Sequence, residues 1–462
     1  MLAPLFNNPP MFKHQQAFHD FWLDNPRVLN FSDAGSGKTR ATLETINTRK
    51  TQGLAQRTLV LGPLSILQPA WGNDIDKWTP NLTYSVAYAK NRAQAFAEDT
   101  DIVITNHDAV KWLEQNPQVL VGFNTLVVDE STAFKNYKTA KRTKSIMKLA
   151  QAFRYRVILT GTPNPKSVVD LWSQVHIVDD GERLGKNFYH FQNQVQTPYQ
   201  VTPTVRQWRD KPNAEEVVTA MLSDITFRVK LEDCIDMPEN IVTDMSIDIP
   251  KKLRKQYEQF LEDSILELES GRVDAINAGV RFRKLQQMLT GCVYDSAGNV
   301  HKVHNERYEL VRDLIMERNQ CLVAFNFKHE RTAMVELCKK EGIVYAVIDG
   351  ETKDTQRSEI VDQFQAGNIK VIFAHPQSAG HGLTLTAATT TIWASPTYNA
   401  EHYEQFNRRF YRAGQTKRTE TIRIAAADTI ETSVYEKLEG KRVKLHNTLD
   451  LLKELAESRA AA

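Results

Sequence analysis

An α/β protein with two parallel-sheet units is predicted by three observations. Short β-branched and leucine-rich runs recur along the chain, amphipathic segments separate them, and a stretch without regular strand spacing divides them into two sets. The first set holds TLVLG at 58–62, DIVIT at 101–105, TLVVDE at 125–130 and RVILTGT at 156–162. The second holds CLVAF at 321–325, YAVIDG at 345–350, KVIFA at 370–374, TTIWA at 390–394 and ETIRIAA at 420–426. Apolar runs this short, spaced by helical patterns, fit strands buried on both faces and joined by crossover helices.

The stretch between the sets begins with polar, proline-containing segments such as QTPYQVTPTVRQW and continues with Leu253, Tyr257, Phe260, Leu261 and Leu268 at helical intervals. It reads as a mostly helical insertion at the junction, with the boundary near Met237 and Pro238. The expected division is 1–237, with a helical protrusion over 181–237, and 238–462, with a second protrusion over 245–290. A charged amphipathic tail follows over 429–458, broken near Gly440.

A length of 462 residues accommodates such a pair, at roughly 100–200 residues per domain. Lysine and arginine total 58 against 56 acids, so bulk charge gives no sign of a nucleic-acid partner. A hydrophobic content of 41 % excludes a disordered or fibrous chain. The cysteines, Cys234, Cys292, Cys321 and Cys338, are scattered, which argues against a zinc knuckle and a disulfide scaffold and for a reducing, cytoplasmic setting. His301 and His304 lie near Cys292 but lack a fourth ligand at suitable spacing, so no structural zinc is expected. Trp172, Trp208 and Trp393 read as packing residues. No secretory signal and no apolar run of roughly 18 residues is present, so no membrane role is expected.

The chemistry-bearing motifs sit at strand ends. Ser32-Asp33-Ala34-Gly35-Ser36-Gly37-Lys38-Thr39 follows an apolar stretch and opens a helical pattern. Gly35, Ser36 and Gly37 let backbone N–H groups close around a phosphate, Lys38 supplies charge to the β and γ phosphates, and Thr39 can ligate magnesium. About 90 residues on, Leu126-Val127-Val128 runs into Asp129 and Glu130. Asp129 suits a magnesium ligand and Glu130 a base that polarises the attacking water. A third run ends in Leu159-Thr160-Gly161-Thr162-Pro163, whose hydroxyls can sense the γ phosphate. In the second unit, Arg409 and Arg412 are spaced to share a helix face and to act as arginine fingers. The tract from Lys135 to Lys148 holds six cations and no acid, fitting either a phosphate-binding surface or a solvated helix face.

In order and spacing these segments resemble a superfamily 2 helicase motor, and their flanks resemble its Swi/Snf-type branch of double-stranded DNA translocases. The segment at 59–78 resembles that branch's motif Ia, 102–110 motif Ib, 126–139 motif II and 159–173 motif III. Likewise 322–330 resembles motif IV, 378–388 motif V and 405–415 motif VI, so the likeness runs from about residue 11 to 440. It implies two RecA-like lobes of the P-loop NTPase class that close on ATP and magnesium. It also implies Gln15 as the adenine-reading amide and further nucleotide contacts at Arg40 and Gly382. DNA is implied along Ser65, Thr105, Asn106, Thr352, Arg357 and Ser378, with Lys135 from the basic tract, through phosphates and without base reading.

The sequence departs from the family pattern at Ser131-Thr132, where many relatives have A-H after D-E, leaving Thr132 to replace a coupling histidine through its hydroxyl. Tyr411 stands for the motif VI histidine and Gly380-His381 for paired glycines. The expected function is an ATP-dependent translocase on double-stranded DNA. The alternatives are a strand-separating or branch-migrating helicase, for which branched DNA is the partner, and an ATP-binding scaffold with negligible turnover.

Overall fold

The computed structural model describes residues 9–161, 163, 167–202, 205–234, 238–269, 275–294, 300–379, 383–412 and 414–439. The chain divides into two units, Met1–Met237 and Pro238–Ala462.

The first unit is built on a sheet of β1 (Arg27–Asn30), β2 (Arg57–Gly62), β3 (Tyr84–Ala87), β4 (Ile102–Asn106), β5 (Phe123–Asp129), β6 (Tyr155–Leu159) and the two-residue β9 (Thr226–Phe227). Their order is β3-β4-β2-β5-β6-β1-β9, and every pair is parallel. Alternate residues point to opposite faces, and both faces are dry. Leu59, Leu61, Val103, Leu126, Val128 and Ile158 join one core cluster, while Val60, Ile102, Ile104, Val127, Val157 and Leu159 join the other. This explains why the strands read as continuous apolar runs and not as alternating ones. Parallel pairing also brings the carboxyl ends of β2, β5, β6 and β1 side by side, so the segments after Gly62, Asp129, Leu159 and Asn30 share one edge.

The junction segment has helices at Phe188–Val195 and Ala214–Met221, but between them lies an antiparallel hairpin, β7 (Gln196–Thr202) with β8 (Val205–Asp210). The expected mostly helical insertion is therefore mixed in its first part. Pro198 sits within β7, tolerated because this two-stranded ribbon has no central strand.

The second unit carries β10 (Asn240–Ile247), β13 (Cys321–Ala324), β14 (Tyr345–Ile348), β15 (Val371–Ala374), β16 (Thr390–Trp393) and β17 (Thr419–Ala426) in the order β10-β17-β16-β13-β15-β14, all parallel. A small antiparallel pair, β11 (Cys292–Tyr294) and β12 (Val300–Lys302), stands apart. Helices Lys251–Glu269 and Ala275–Leu289 precede it, and the helix Ile430–Glu439 follows β17. The tail beyond residue 439, with the expected break at Gly440, lies outside the described residues. Trp172 and Trp393 are buried, in keeping with packing roles.

Two buried carboxylates organise this unit. Glu431 accepts a 2.5 Å hydrogen bond from Arg307, and the same guanidinium donates to the carbonyls of Leu289, Ala394 and Ile424. Glu330 accepts from the N–H groups of Asn326 and Phe327, both at 2.8 Å, closing the start of the helix Lys328–Lys340. Burial nevertheless pushes the Glu330 carboxyl up from 4.5 to about 7. The folded chain thus retains a proton that the unfolded chain releases. This contribution to stability is complete below pH 4.5 and is lost as pH rises through about 7. Denaturant unfolding across that range should show Glu330→Gln gaining on the wild type with rising pH, by up to about 3 kcal/mol.

Candidate active site

The phosphate loop leaves β1 and turns into the helix Lys38–Thr51 through two left-handed glycines, Gly35 at φ 83° and Gly37 at φ 78°. Gly37 has a second constraint, because a Cβ there would stand 2.1 Å from the Gln15 amide nitrogen. Ser36 Oγ donates to the Asp33 carbonyl at 2.9 Å, and Lys38 Nζ donates to the carbonyls of Ser32 and Asp33 at 2.7 and 2.9 Å. Ser32 stands where the phosphate-loop pattern has glycine, and its hydroxyl accepts from the N–H of Val229, tying the loop to the segment after β9.

Gln15 and Arg40, both expected at the nucleotide, are engaged by other groups of the chain. Gln15 is buried, its Oε1 takes the Phe12 N–H, and its amide nitrogen donates to the carbonyls of Ser36 and Gly37, so the amide is held on the loop. His14 Nε2 makes a 2.8 Å bond to the same Ser36 carbonyl. Arg40, expected at the nucleotide, lies with its guanidinium 4.0 Å over the Trp78 ring and donates to the Pro9 carbonyl. The aromatic face and the carbonyl offset part of the cost of burial, which still holds the guanidinium below its usual range.

Asp129 closes β5, and Glu130 follows in a left-handed backbone conformation at φ 49°. For a non-glycine residue such a conformation costs roughly 1–2 kcal/mol and is held by its surroundings. Two bonds from elsewhere hold the pair. Trp71 Nε1 donates to Asp129 Oδ2 at 2.9 Å, and His107 Nε2 donates to the Asp129 carbonyl at 2.8 Å. Burial, and then the neighbouring Glu130 charge, push the Asp129 carboxyl up to about 6, against the pull of Trp71 and Lys38. Sequence reasoning missed Trp71 and His107 as partners of Asp129. Trp71 lies 58 positions before it, and only the adjacency of β2, β4 and β5 brings the three segments together.

The segment after β6 packs on the phosphate loop. A Cβ at Gly161 would lie 3.1 Å from the Ala34 nitrogen and 3.7 Å from the Ser32 carbonyl oxygen. These neighbours are backbone atoms of the phosphate loop, with no flexible side-chain end to give way, so Gly161→Ala is expected to weaken ATP binding about 10-fold without unfolding the unit. Titration with a fluorescent ATP analogue measures it. Thr162 lies outside the described residues, as does Gly382.

In the second unit the helix Ala400–Asn407 ends before Arg409 and Arg412. The expectation that they share a helix face is corrected: they occupy the turns that follow. They nevertheless converge, because Arg409 Nη1 and Arg412 Nη1 both reach the Leu383 carbonyl, at 3.4 and 3.2 Å. Arg409 is buried and also donates to the Gln405 carbonyl at 2.9 Å, while Arg412 donates to Thr384 Oγ1 at 2.9 Å.

The SNF2-related domain family matches residues 26–293, and the helicase conserved C-terminal domain matches residues 306–414. The chain belongs to the SNF2-related family. That family is one of ATP-hydrolysing helicases and translocases. Putative protein p41 of Acyrthosiphon pisum secondary endosymbiont phage 1 is 30 % identical over 95 % of this chain and 98 % of its own length. The DNA annealing helicase and endonuclease ZRANB3 of Homo sapiens is 25 % identical over 93 % of this chain but only 39 % of its own. The chain thus spans nearly all of p41 and about two fifths of the named helicase. Among solved structures, the Sulfolobus solfataricus SWI2/SNF2 ATPase core in complex with dsDNA is 23 % identical, with a TM-score of 0.46, over 99 % of this chain and 95 % of that one.

Set against the SNF2-related pattern, the residues expected to meet DNA divide into two groups. Ser65, Asn106, Lys135 and Ser378 are partly exposed. Thr105 is buried, and its hydroxyl donates to the Ala87 carbonyl at 2.7 Å, so the side chain links β4 to β3 and does not face a phosphate. Arg357 is occupied too: its guanidinium donates to the carbonyls of Asp349, Thr352 and Ser378, joining the loops after β14 and β15. Thr352 Oγ1 caps that turn by accepting from the Asp349 N–H at 3.0 Å. In the basic tract, Arg142 and Lys148 pair with Asp108 and Glu114, acids that the tract's own sequence does not contain. Among the described residues, no helix is long and apolar enough to cross a membrane.

Proposed function

We propose that this SNF2-related protein hydrolyses ATP to move along double-stranded DNA without reading its sequence. The observation that carries the reading is the shared edge of β1, β5 and β6, where Lys38, Thr39, Asp129 and Glu130 occupy neighbouring segments. Lys38 exchanges the loop carbonyls of Ser32 and Asp33 for the β and γ phosphates, a point charge leaving neutral acceptors for anionic ones. Thr39 and Asp129 offer a hydroxyl and a carboxylate, the hard oxygen donors that suit magnesium. Bound there, magnesium would supply neutralisation of phosphate charge. Asp129 must be ionised to serve, and its raised carboxyl means that it surrenders a proton on binding when the medium is near pH 6.

Glu130 accepts a proton from the attacking water. Arg409 and Arg412 are the cations assigned to the charge that develops on the γ phosphate. Ser65, Asn106 and Lys135, partly exposed, are the proposed phosphate contacts in the first unit.

Lys38→Ala tests the reading. Phosphate release measured with and without duplex DNA should fall to background in both cases, whereas unchanged DNA-stimulated release rejects it. A second reading, action on branched DNA, draws on the relative named as an annealing helicase. Stimulation by a four-way junction in excess of that by linear duplex would favour it.

A further inference from the structure

The turn that carries Glu130 is held from behind by side chains that none of the roles above uses. Ser131 and Gln174 are both fully buried. Ser131 Oγ donates to Gln174 Oε1 at 2.7 Å, and Gln174 Nε2 donates to the carbonyls of Pro163 at 2.7 Å and Asp170 at 2.8 Å. The neighbouring Ser173 Oγ donates to the Phe134 carbonyl at 2.7 Å. The helix Asp170–Asp179 is therefore laced to both ends of the turn Ser131–Phe134.

Its other attachment is the segment after β6. Pro163 stands two residues beyond Gly161, which packs against the backbone of Ser32 to Ala34 in the phosphate loop. Gly161 thus packs on the phosphate loop, and Pro163, two positions on, accepts from the Gln174 amide, whose other end takes the hydroxyl of Ser131, next to the left-handed backbone of Glu130. The amide suits this position, since one end accepts and the other donates and neither group can be reversed without losing a bond. The position is dry, so each bond is geometrically demanding and costly to leave unmade.

We infer that Gln174 and Ser131 are positioning residues that set Glu130 against the phosphate loop, so that a shift of the loop on the nucleotide is passed to the base. This deepens, and rests on, the reading of Glu130 as the base for ATP hydrolysis. Gln174 touches neither nucleotide nor water in this scheme. It acts through the segment it ties down.

The test separates this role from packing. Gln174→Met alone leaves the Ser131 hydroxyl buried without its acceptor and should lower the melting temperature. The double variant Ser131→Ala with Gln174→Met removes that unpaired hydroxyl and should regain the part of the loss due to it. If the pair positions Glu130, the double variant still shows kcat for ATP reduced about 10-fold, with KM within about 2-fold of the wild type, because a misplaced base is not repaired by good packing. Recovery of wild-type kcat together with the melting temperature would overturn the inference. Ser131→Ala alone, a small change that the core tolerates, supplies a second reading: it should show a similar fall in kcat, and wild-type kcat in this variant also overturns the proposal. A wild type that hydrolyses ATP but ignores DNA would remove the translocase reading and leave this comparison decisive. A wild type with no turnover rejects the assignment of Glu130 itself.

Discussion

Glu130→Gln should lower ATP turnover by about 10²–10⁴-fold while nucleotide affinity changes by no more than a few-fold. The amide is nearly isosteric, so it fills the same turn, but it cannot take a proton from water. The second signature comes from Asp129, whose carboxyl is raised partly by the Glu130 charge. Removing that charge lets Asp129 ionise at lower pH, so the pH below which magnesium affinity declines should move downward in the variant. Single-turnover hydrolysis and magnesium titrations at pH 5.5 to 7.5 measure the two effects separately. A variant with wild-type turnover would mean that another group activates the water.

Arg307→Met should be the most damaging single change to the second unit, at about 3–5 kcal/mol. The side chain is fully buried and serves three carbonyls and one carboxylate, belonging to the helix Ala275–Leu289, to the segment after β16, to β17 and to the helix Ile430–Glu439. Methionine fills much of the volume but leaves Glu431 as a buried carboxylate with, among the described residues, the Ala426 N–H as its remaining donor. For a unit of this size the loss corresponds to a fall of roughly 10 °C in its melting temperature. Glu431→Gln keeps an acceptor for both donors and should cost less. Calorimetry with a fluorescent ATP analogue present would show whether the first unit keeps its nucleotide affinity while the second melts early.

The sheets, and the placement of Lys38 and Asp129 at strand ends, were legible because they are local in sequence. Strands buried on both faces must be apolar at every position, and Lys38 and Asp129 announce themselves by following glycine and a strand. What the sequence did not disclose are contacts that exist only after the strands take their order. Trp71 reaches Asp129 because β2 lies beside β5, and Gln174 reaches Ser131 because its helix packs over the turn.

Cations misled in a consistent way. Arg40 is expected at the nucleotide and Arg357 at a DNA phosphate from their motif positions, but each guanidinium has five donors, and in the structure these go to an aromatic face or to carbonyls that irregular loops would otherwise bury unpaired. Thr105 misled differently. A strand's last residues alternate between faces, and its hydroxyl fell on the inner side. The β7-β8 hairpin escaped notice because a solvated ribbon shows neither an apolar run nor a two-residue loop signature.

Trp71 gives the nucleotide site an optical voice. The chain has seven tryptophans; Trp71 is fully buried, as are Trp22 and Trp393, and it has its indole N–H on Asp129. A buried indole's emission depends on the charge and strength of its acceptor. Any event that neutralises or engages that carboxylate therefore changes the light this residue emits. Substrate arrival and departure could be followed in real time on the unmodified protein, with Trp71→Phe as the blank that isolates the signal from the other six.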